Sequence, residues 1–165
     1  MGTAMAAIAW IIFLVMVTAF FNGWLDRRDY PNRDLDAGFT TTGAAEVILK
    51  RNRMGHYVAN GSINGVEVTF LLDTGATGVA LSADVARATS VTPGKPVTTR
   101  TANGNATGYR ATLRSVRLGN IEQRNVAATI SPGLTTREVL LGMSFLKHLE
   151  MIQRGDTLTL RLPQQ

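Results

Sequence analysis

The 165-residue sequence contains no cysteine, only two histidines, and few aromatic side chains, which make up 7% of it. Without cysteine there is no disulfide framework and no thiol nucleophile, and the sequence reports no redox compartment. His56 and His148 stand alone, without the serine elbow that would accompany a histidine base or the cluster of ligands that a metal requires. We therefore expect no metal site and no cofactor.

Charge is also absent from the first 25 residues, because all 17 Lys and Arg and all 12 Asp and Glu come later. The net charge of +5 therefore belongs to the rest of the chain, where the densest basic group is Arg110, Arg114 and Arg117. Nucleic-acid binding requires a basic stripe with interleaved aromatic residues, which the sequence lacks. A solvated basic face, which also favours anionic lipid headgroups, is the better interpretation, and no nucleic-acid partner is expected.

In place of charge, the N-terminal stretch has an apolar run from Ala4 to Phe21, with Thr18 as its polar break. As a helix this run is roughly 27 Å long at ~1.5 Å per residue, which is enough to cross the hydrocarbon core of a bilayer. Trp24 and Tyr30 follow where aromatic side chains meet lipid headgroups, and four consecutive charged residues end the run. The predicted organisation is a transmembrane anchor at 4–24, a flexible tether at 25–44 and a globular domain at 45–163.

A cleaved signal peptide and a buried core helix are the competing interpretations of this run. A signal peptide needs a basic start and a small-x-small cleavage site, but no Lys or Arg precedes the run and Val17-Thr18-Ala19 is followed by two phenylalanines. A core helix needs a polar face, which the run lacks. The retained single-pass anchor is favoured. Arg27, Arg28 and Arg33 favour a cytoplasmic domain, but the N-terminal tail is short, so the side of the membrane stays open.

The stretch that organises the remaining chain is the apolar run Phe70-Leu71-Leu72 followed by Asp73-Thr74-Gly75-Ala76. An apolar strand that leads an acid into a glycine-containing turn presents the carboxylate at a fixed place with close backbone access. An Asp-Thr-Gly triplet alone is weakly specific, but here large hydrophobic residues precede it and Val79-Ala80-Leu81-Ser82 follows. In this context the stretch resembles the active-site signature of retropepsin-type aspartic proteases.

Turn and cap signals order the segments around this loop. Asn64-Gly65 predicts a hairpin before it, and Ser82 predicts the N-cap of a short helix over 83–88 after it. Two β-prone arms between Val97 and Leu113 surround Asn103-Gly104 and predict a long hairpin. Turn chemistry alone describes an ordinary surface hairpin. Its place after the acid loop, however, matches that of the retropepsin flap, which closes over bound peptide.

A second diagnostic stretch, Val139 to Leu146, contains Leu140-Leu141-Gly142. In the retropepsin family two hydrophobic residues and a glycine pass under the active-site loop and enter a short helix, and Gly142 permits that close approach. The resemblance covers about Glu46 to Leu162 and is closer to the membrane-anchored bacterial branch than to the viral enzymes. Thr77 and Met143 stand near places where many viral members have an acid and a basic residue, which affects viral-type subsite preferences and dimer contacts but not the chemistry.

The resemblance implies an all-β, retropepsin-like half-barrel with one or two short helices. It implies that Asp73 is the catalytic general acid and base, that Thr74 locks the paired loops together, and that Gly75 leaves its backbone open to the acid and the substrate. The substrate-binding residues that it implies are Ala76 on the cleft floor and Ala102, Asn103 and Gly104 at the flap.

Aspartic peptidase chemistry needs two carboxylates that share a proton, whereas this sequence has one Asp-Thr-Gly and no internal duplication. The resemblance therefore implies a C2 homodimer that hydrolyses polypeptides and is anchored in the bacterial inner membrane. Two alternatives stay open. One is a membrane-tethered retropepsin-like module that binds extended peptide or self-associates without cutting it. The other is a phosphoryl acceptor at Asp73, for which the expected phosphate loop and metal-binding acids are missing.

Overall fold

The computed structural model describes residues 2–41, 43–101 and 104–163. Within these ranges the helices are α1 (Gly2–Asp29), α2 (Ala83–Ala88) and α3 (Met143–Leu146). The strands are β1 (Asp36–Phe39), β2 (Ala45–Lys50), β3 (Val58–Ile63), β4 (Val66–Leu72), β5 (Val79–Leu81), β6 (Pro96–Thr101), β7 (Gly104–Leu118), β8 (Ile121–Ile130), β9 (Val139–Leu141), β10 (Glu150–Arg154) and β11 (Thr157–Arg161).

Seven strands form one sheet that closes on itself. Its order is β3-β4-β9-β5-β8-β7-β6, and an additional pairing of β3 with β7 joins the two sides into a barrel. Apolar side chains on the inner faces of these strands and of α3 fill the barrel. The largest of them, each less than 2% exposed, include Phe70, Phe145, Ile63, Leu113 and Leu141. The all-β class with one or two short helices that the sequence predicts is therefore confirmed.

Local signals in the sequence specify several of these elements correctly. Asn64 and Gly65 both have positive φ, at 54° and 86°, and they connect β3 to β4 in a tight antiparallel hairpin. Ser82 caps α2, because its hydroxyl accepts a hydrogen bond from the backbone N–H of Val85 at 3.3 Å. The long hairpin is also present as β6 and β7, although β7 continues without interruption through Leu118.

A second sheet of four strands, in the order β1-β2-β11-β10, packs beside the barrel. Its outer hairpin carries a bidentate ion pair in which Arg161 donates to the Glu150 carboxylate at 2.7 and 3.0 Å. These hydrogen bonds from Arg161 lower the pKa of Glu150. The sequence pattern does not reveal β1, which is only four residues long and pairs antiparallel with β2.

Helix α1 contains a 19-residue apolar segment, Met5–Gly23, that is long and apolar enough to cross a membrane by length and composition. A signal sequence passes the same test. The segment is not packed into the protein, since large side chains such as Ile11, Phe13 and Leu14 are more than half exposed. This exposure is inconsistent with a buried core helix.

The chain between α1 and β2 is fastened to the domain through Asn32, which is only 4% exposed. Its amide nitrogen donates to the carbonyl oxygens of Lys50 and Val58, each at 2.8 Å, and its side-chain oxygen accepts from the N–H of Lys50 at 2.6 Å. Arg53 adds an ion pair of 3.0 Å to Asp29, the last residue of α1. The interval 25–44, predicted from its sequence as a tether, thus contains more structure than its pattern indicates.

Replacing Asn32 with alanine should lower the free energy of unfolding by about 2–4 kcal/mol, because three backbone groups, one buried and two partly buried, lose their partner. The measurement is urea unfolding of the full chain in nonionic detergent, followed by circular dichroism. Asn60→Ala is the matched control, since this exposed side chain makes only peripheral hydrogen bonds, at 3.3 and 3.5 Å. Equal stability of the two variants would contradict the structural role of Asn32.

Candidate active site

Asp73 is placed by the backbone of two neighbouring strands. It directly follows β4, which pairs in parallel with β9 so that Leu72 lies opposite Leu141. The N–H of Asp73 then donates to the carbonyl oxygen of Leu141 at 3.2 Å, which extends the pairing by one residue. Its side chain is half-buried at the mouth of the loop. The acid therefore begins the loop at a position defined by main-chain hydrogen bonds.

The loop that follows orients the carboxylate. Oδ1 of Asp73 accepts a hydrogen bond from the N–H of Gly75 at 2.8 Å, and the N–H of Ala76 donates to the carbonyl oxygen of Asp73 at 3.2 Å. An aspartate that binds the backbone two residues onward forms an Asx turn. Thr74 and Gly75 are exposed, whereas Ala76 is half-buried. The structure thus brings four of the predicted site residues together in one turn, with Asp73 at its base.

Strand β9 lies between the two strands that flank this loop. It pairs in parallel with β4, and Leu140 lies antiparallel to Ala80 of β5. At its end Gly142 passes directly beneath the loop, and the N–H of Met143 donates to the carbonyl oxygen of Ala76 at 2.8 Å. A Cβ at position 142 would lie 2.6 Å from the Ala76 carbonyl oxygen and closer still to that of Gly78. Only glycine fits this crossing without moving the backbone.

Ser144 is a supporting residue that the sequence pattern does not single out. Its hydroxyl accepts a hydrogen bond from the N–H of Val79 at 3.0 Å and donates to the carbonyl oxygen of Ala127 at 2.7 Å. It therefore joins the exit of the acid loop to β8. The sequence feature from which this role could have been predicted is the position of Ser144 in the first turn of a short helix, where serine side chains commonly bind backbone groups.

The predicted flap is the β6–β7 hairpin, in which Thr101 lies opposite Gly104. Gly104 has a φ of 105°, a backbone conformation that favours glycine. Ala102 and Asn103, the other two predicted flap residues, lie outside the described residues. The structure therefore locates the arms of the hairpin and one of its three predicted substrate-binding residues.

A groove of about 920 Å³ lies beside the acid loop, and Asp73 is not among its lining residues. It reaches the acid loop at Thr77 and Gly78, directly after the predicted site residues, and continues between the loop after α2 and the outer face of β7 and β8. Within the ranges that the structure describes, no group of three or more histidine or acidic side chains is placed to hold a metal ion.

Comparison with known proteins identifies relatives. Residues 59–148 match the sequence model of a family described as gag-polyprotein putative aspartyl protease. The chain is 37% identical over 123 residues to an uncharacterized protein from the cobV 5′ region of Sinorhizobium sp, a match that covers 72% of this chain and 53% of that protein. It is 31% identical over 148 residues to an uncharacterized protein of Rickettsia prowazekii (strain Madrid E), covering 85% of this chain and 62% of that protein.

The match to a solved structure concerns nearly the whole of that protein. The crystal structure of a retropepsin-like aspartic protease from Rickettsia conorii superposes with a TM-score of 0.60 and 29% sequence identity, and the match covers 78% of this chain and 94% of that one. The retropepsin-like fold expected from the sequence is therefore confirmed. The chain spans only between half and two thirds of the length of the two curated relatives.

Gly142→Ala should lower the free energy of unfolding by at least about 2 kcal/mol, because the added methyl group overlaps backbone atoms that cannot rotate away. Gly133→Ala is the matched control, since a Cβ there meets no atom within 4 Å. Thermal or urea unfolding of the two full-length variants measures the difference. A Gly142→Ala protein as stable as the Gly133→Ala protein would show that the crossing tolerates a side chain.

Proposed function

The chain belongs to the gag-polyprotein putative aspartyl protease family and has a retropepsin-like fold, and from this premise we propose that it is an aspartic endopeptidase, active as a homodimer and anchored in a membrane. The observation that carries the proposal is the Asx turn, which holds Asp73 at the end of the parallel pair of β4 and β9, with one carboxylate oxygen accepting a hydrogen bond from the N–H of Gly75. Such a mount presents a carboxylate with little freedom to reorient.

In the proposed reaction two copies of Asp73 share one proton, since like charges about 3 Å apart do not both ionise. The ionised carboxylate accepts a proton from a water molecule, whose oxygen forms a bond to the carbonyl carbon of the substrate peptide. The protonated carboxyl donates its proton to the carbonyl oxygen. Collapse of the resulting tetrahedral diol breaks the C–N bond: the leaving nitrogen takes up a proton from one carboxyl group, and a hydroxyl of the diol returns its proton to the other carboxylate, so that the pair again holds one proton. The products are a carboxylic acid and an amine.

The residues around Asp73 have distinct proposed roles. Thr74, exposed at the turn, provides a hydroxyl that binds the partner's loop, and Gly75 leaves the backbone accessible next to the acid. Ala76 keeps the floor of the cleft small. The flap residues Ala102, Asn103 and Gly104 close over a substrate bound as an extended strand and add main-chain hydrogen bonds.

A homodimer is proposed because the chain supplies half of the required chemistry. One Asp-Thr-Gly occurs in the sequence, and the groove of the single chain reaches Thr77 and Gly78 without including Asp73. A cleft that contains the acid therefore needs a second wall. A copy related by a two-fold axis through the loops provides this wall and the second carboxylate together.

Membrane anchoring is proposed from helix α1. Its apolar segment ends at Gly23, and the helix continues to Asp29, where Asn32 and Arg53 fasten it to the domain. Exposed apolar side chains along this segment are stabilised when lipid surrounds them. Anchoring also confines the copies to two dimensions, which raises their local concentration and favours dimer formation.

Asp73→Asn should lower the kcat/KM for peptide cleavage by at least about 100-fold, because an amide neither accepts the proton from water nor donates one to the carbonyl oxygen. The assay uses full-length protein in nonionic detergent with a peptide mixture, read by mass spectrometry between mildly acidic and neutral pH. Asp84→Asn is the matched control, since Asp84 is an exposed residue of α2 paired with Arg87. Activity that persists in Asp73→Asn would contradict the mechanism.

Mixing subunits tests the shared site directly. When wild-type and Asp73→Asn chains are co-reconstituted in equal amounts and allowed to exchange, the activity should fall to about one quarter of that of the same total amount of wild type, because only one dimer in four has both acids. Independent monomers would retain about one half. Quantifying both chains in the same vesicles provides the control for unequal insertion.

A further inference from the structure

The groove beside the acid loop is built from segments that hydrogen bonds hold in place. On one side, the N–H of Gly94 donates to the carbonyl oxygen of Arg110 at 2.8 Å, and the N–H of Arg110 donates to that of Lys95 at 3.0 Å. Asn64 ties the end of α2 to β7, since its amide donates to the carbonyl oxygen of Thr89 at 2.9 Å and its side-chain oxygen accepts from the N–H of Ser115 at 3.2 Å. These hydrogen bonds therefore fix the positions of the segments that form the walls of the groove.

Glycine at position 94 is part of this construction. A Cβ there would lie 2.8 Å from the carbonyl oxygen of Arg110, so the loop after α2 approaches β7 as closely as backbone allows. Val91 is buried beneath the same loop and fixes its start in the core. The groove is thus a feature of the folded backbone and does not depend on the rotamers of surface side chains.

The charged side chains that line the groove are all basic. Arg110 and Arg114 both line it and are exposed, and they lie on the same face of β7 because side chains four positions apart in a strand point the same way. Their spacing along the strand is roughly 13 Å at ~3.3 Å per residue. No aspartate or glutamate is among the groove's described lining residues, and no described carboxylate lies within 4.0 Å of either guanidinium.

The remaining groove surface combines hydroxyl groups with apolar side chains such as Pro93, Val97 and Ala111. Thr112 and Thr129 lie along the sheet, and Thr77 stands where the groove meets the acid loop. Thr99 and Ser144 also line the groove, but their hydroxyls donate to the carbonyl oxygens of Ala106 and Ala127. Hydroxyls and guanidinium groups bind carboxylates well, and arginine does so through a planar pair of donors. The groove therefore offers donors and positive charge along a path that begins one residue after Ala76.

We propose that this groove binds an acidic stretch of the polypeptide substrate, with Arg110 and Arg114 as specificity-determining residues that pair with glutamate or aspartate side chains away from the scissile bond. The inference deepens the proposed peptidase function and rests on it, because the bound polypeptide is a substrate only if the protein is a peptidase. A peptide that crosses the acid loop reaches the groove at Thr77 and Gly78 without leaving the protein surface. Electrostatic complementarity of this kind selects among substrates and accelerates their capture.

Binding and cleavage are tested separately, so that the two proposals fail separately. The binding assay measures fluorescence anisotropy of a fluorescein-labelled peptide of alternating glutamate and serine, with full-length Asp73→Asn protein in nonionic detergent. A matched peptide has glutamine in place of each glutamate. The glutamate peptide should bind about five- to tenfold more tightly at low salt, and the difference should shrink as salt is added.

Adding Arg110→Gln and Arg114→Gln should abolish this difference between the peptides, whereas Arg124→Gln should preserve it. Arg124 is an exposed arginine of β8 that does not line the groove, so its loss changes the net charge without changing the site. Arg110→Glu with Arg114→Glu should reverse the preference, so that a lysine–serine peptide binds more tightly than the glutamate peptide. Equal affinity for the glutamate and glutamine peptides, or discrimination that survives the double glutamine variant, would overturn the assignment.

Cleavage of a mixed peptide library by full-length wild type supplies the second readout. Acidic residues should be enriched on one side of the cut sites, and the enrichment should disappear in the Arg110→Gln, Arg114→Gln protein while Arg124→Gln leaves it unchanged. Cleavage without any acidic preference overturns the groove assignment alone. Discrimination in binding without cleavage of any peptide instead contradicts the proposed peptidase function and leaves the acidic-ligand assignment standing.

Discussion

The backbone crossing at Gly142 is the constraint on which the candidate site depends. Strand β9 enters between β4 and β5, and Gly142, the residue after it, passes so close beneath the acid loop that two carbonyl oxygens occupy the space of a missing side chain. The N–H of Asp73 binds the carbonyl oxygen of Leu141, the last residue of this strand, and the carbonyl oxygen of Ala76 accepts from the N–H of Met143, the first residue of α3. The position of the acid is thus set by main-chain atoms. The exposed side chain of Thr74 is consequently not needed to hold the backbone of the loop.

Closure of the barrel stabilises the strands that form the crossing at Gly142. The pairing of β3 with β7 leaves no open edge between the two strands, and Phe70 of β4 lies opposite Val139 of β9 with both side chains fully buried. Burial of such side chains contributes most of the favourable free energy of folding. Because β4 and β9 carry both this core and the mount of Asp73, the same residue pairs stabilise the barrel and position the acid.

The sequence predicts those features that depend on neighbouring residues and misses those that depend on distant ones. The Asn64-Gly65 turn and the Ser82 cap follow from local chemistry, and both are confirmed. Strand β1 and the buried position of Asn32 could not be predicted, because their partners in β2 and β3 come later in the chain. Neither segment has a local hydrophobic periodicity that would indicate its structure. The basic groove likewise combines segments that lie far apart in the chain, from Asn64 to Ser144, although Arg110 and Arg114 belong to the densest basic group of the sequence.

Asn32 links the chain after α1 to the strands that lead to the proposed site. Its amide binds the carbonyl oxygen of Val58, and Val58 pairs with Leu71, two residues before Asp73. The end of α1 is therefore connected to the acid through two adjacent strands rather than through a long loop. In the proposed dimer both helices enter one bilayer from the same side, so the two-fold axis must be parallel to the membrane normal. A substrate strand that crosses this axis at the paired acids then lies parallel to the membrane surface, and its ends extend sideways toward the two basic grooves.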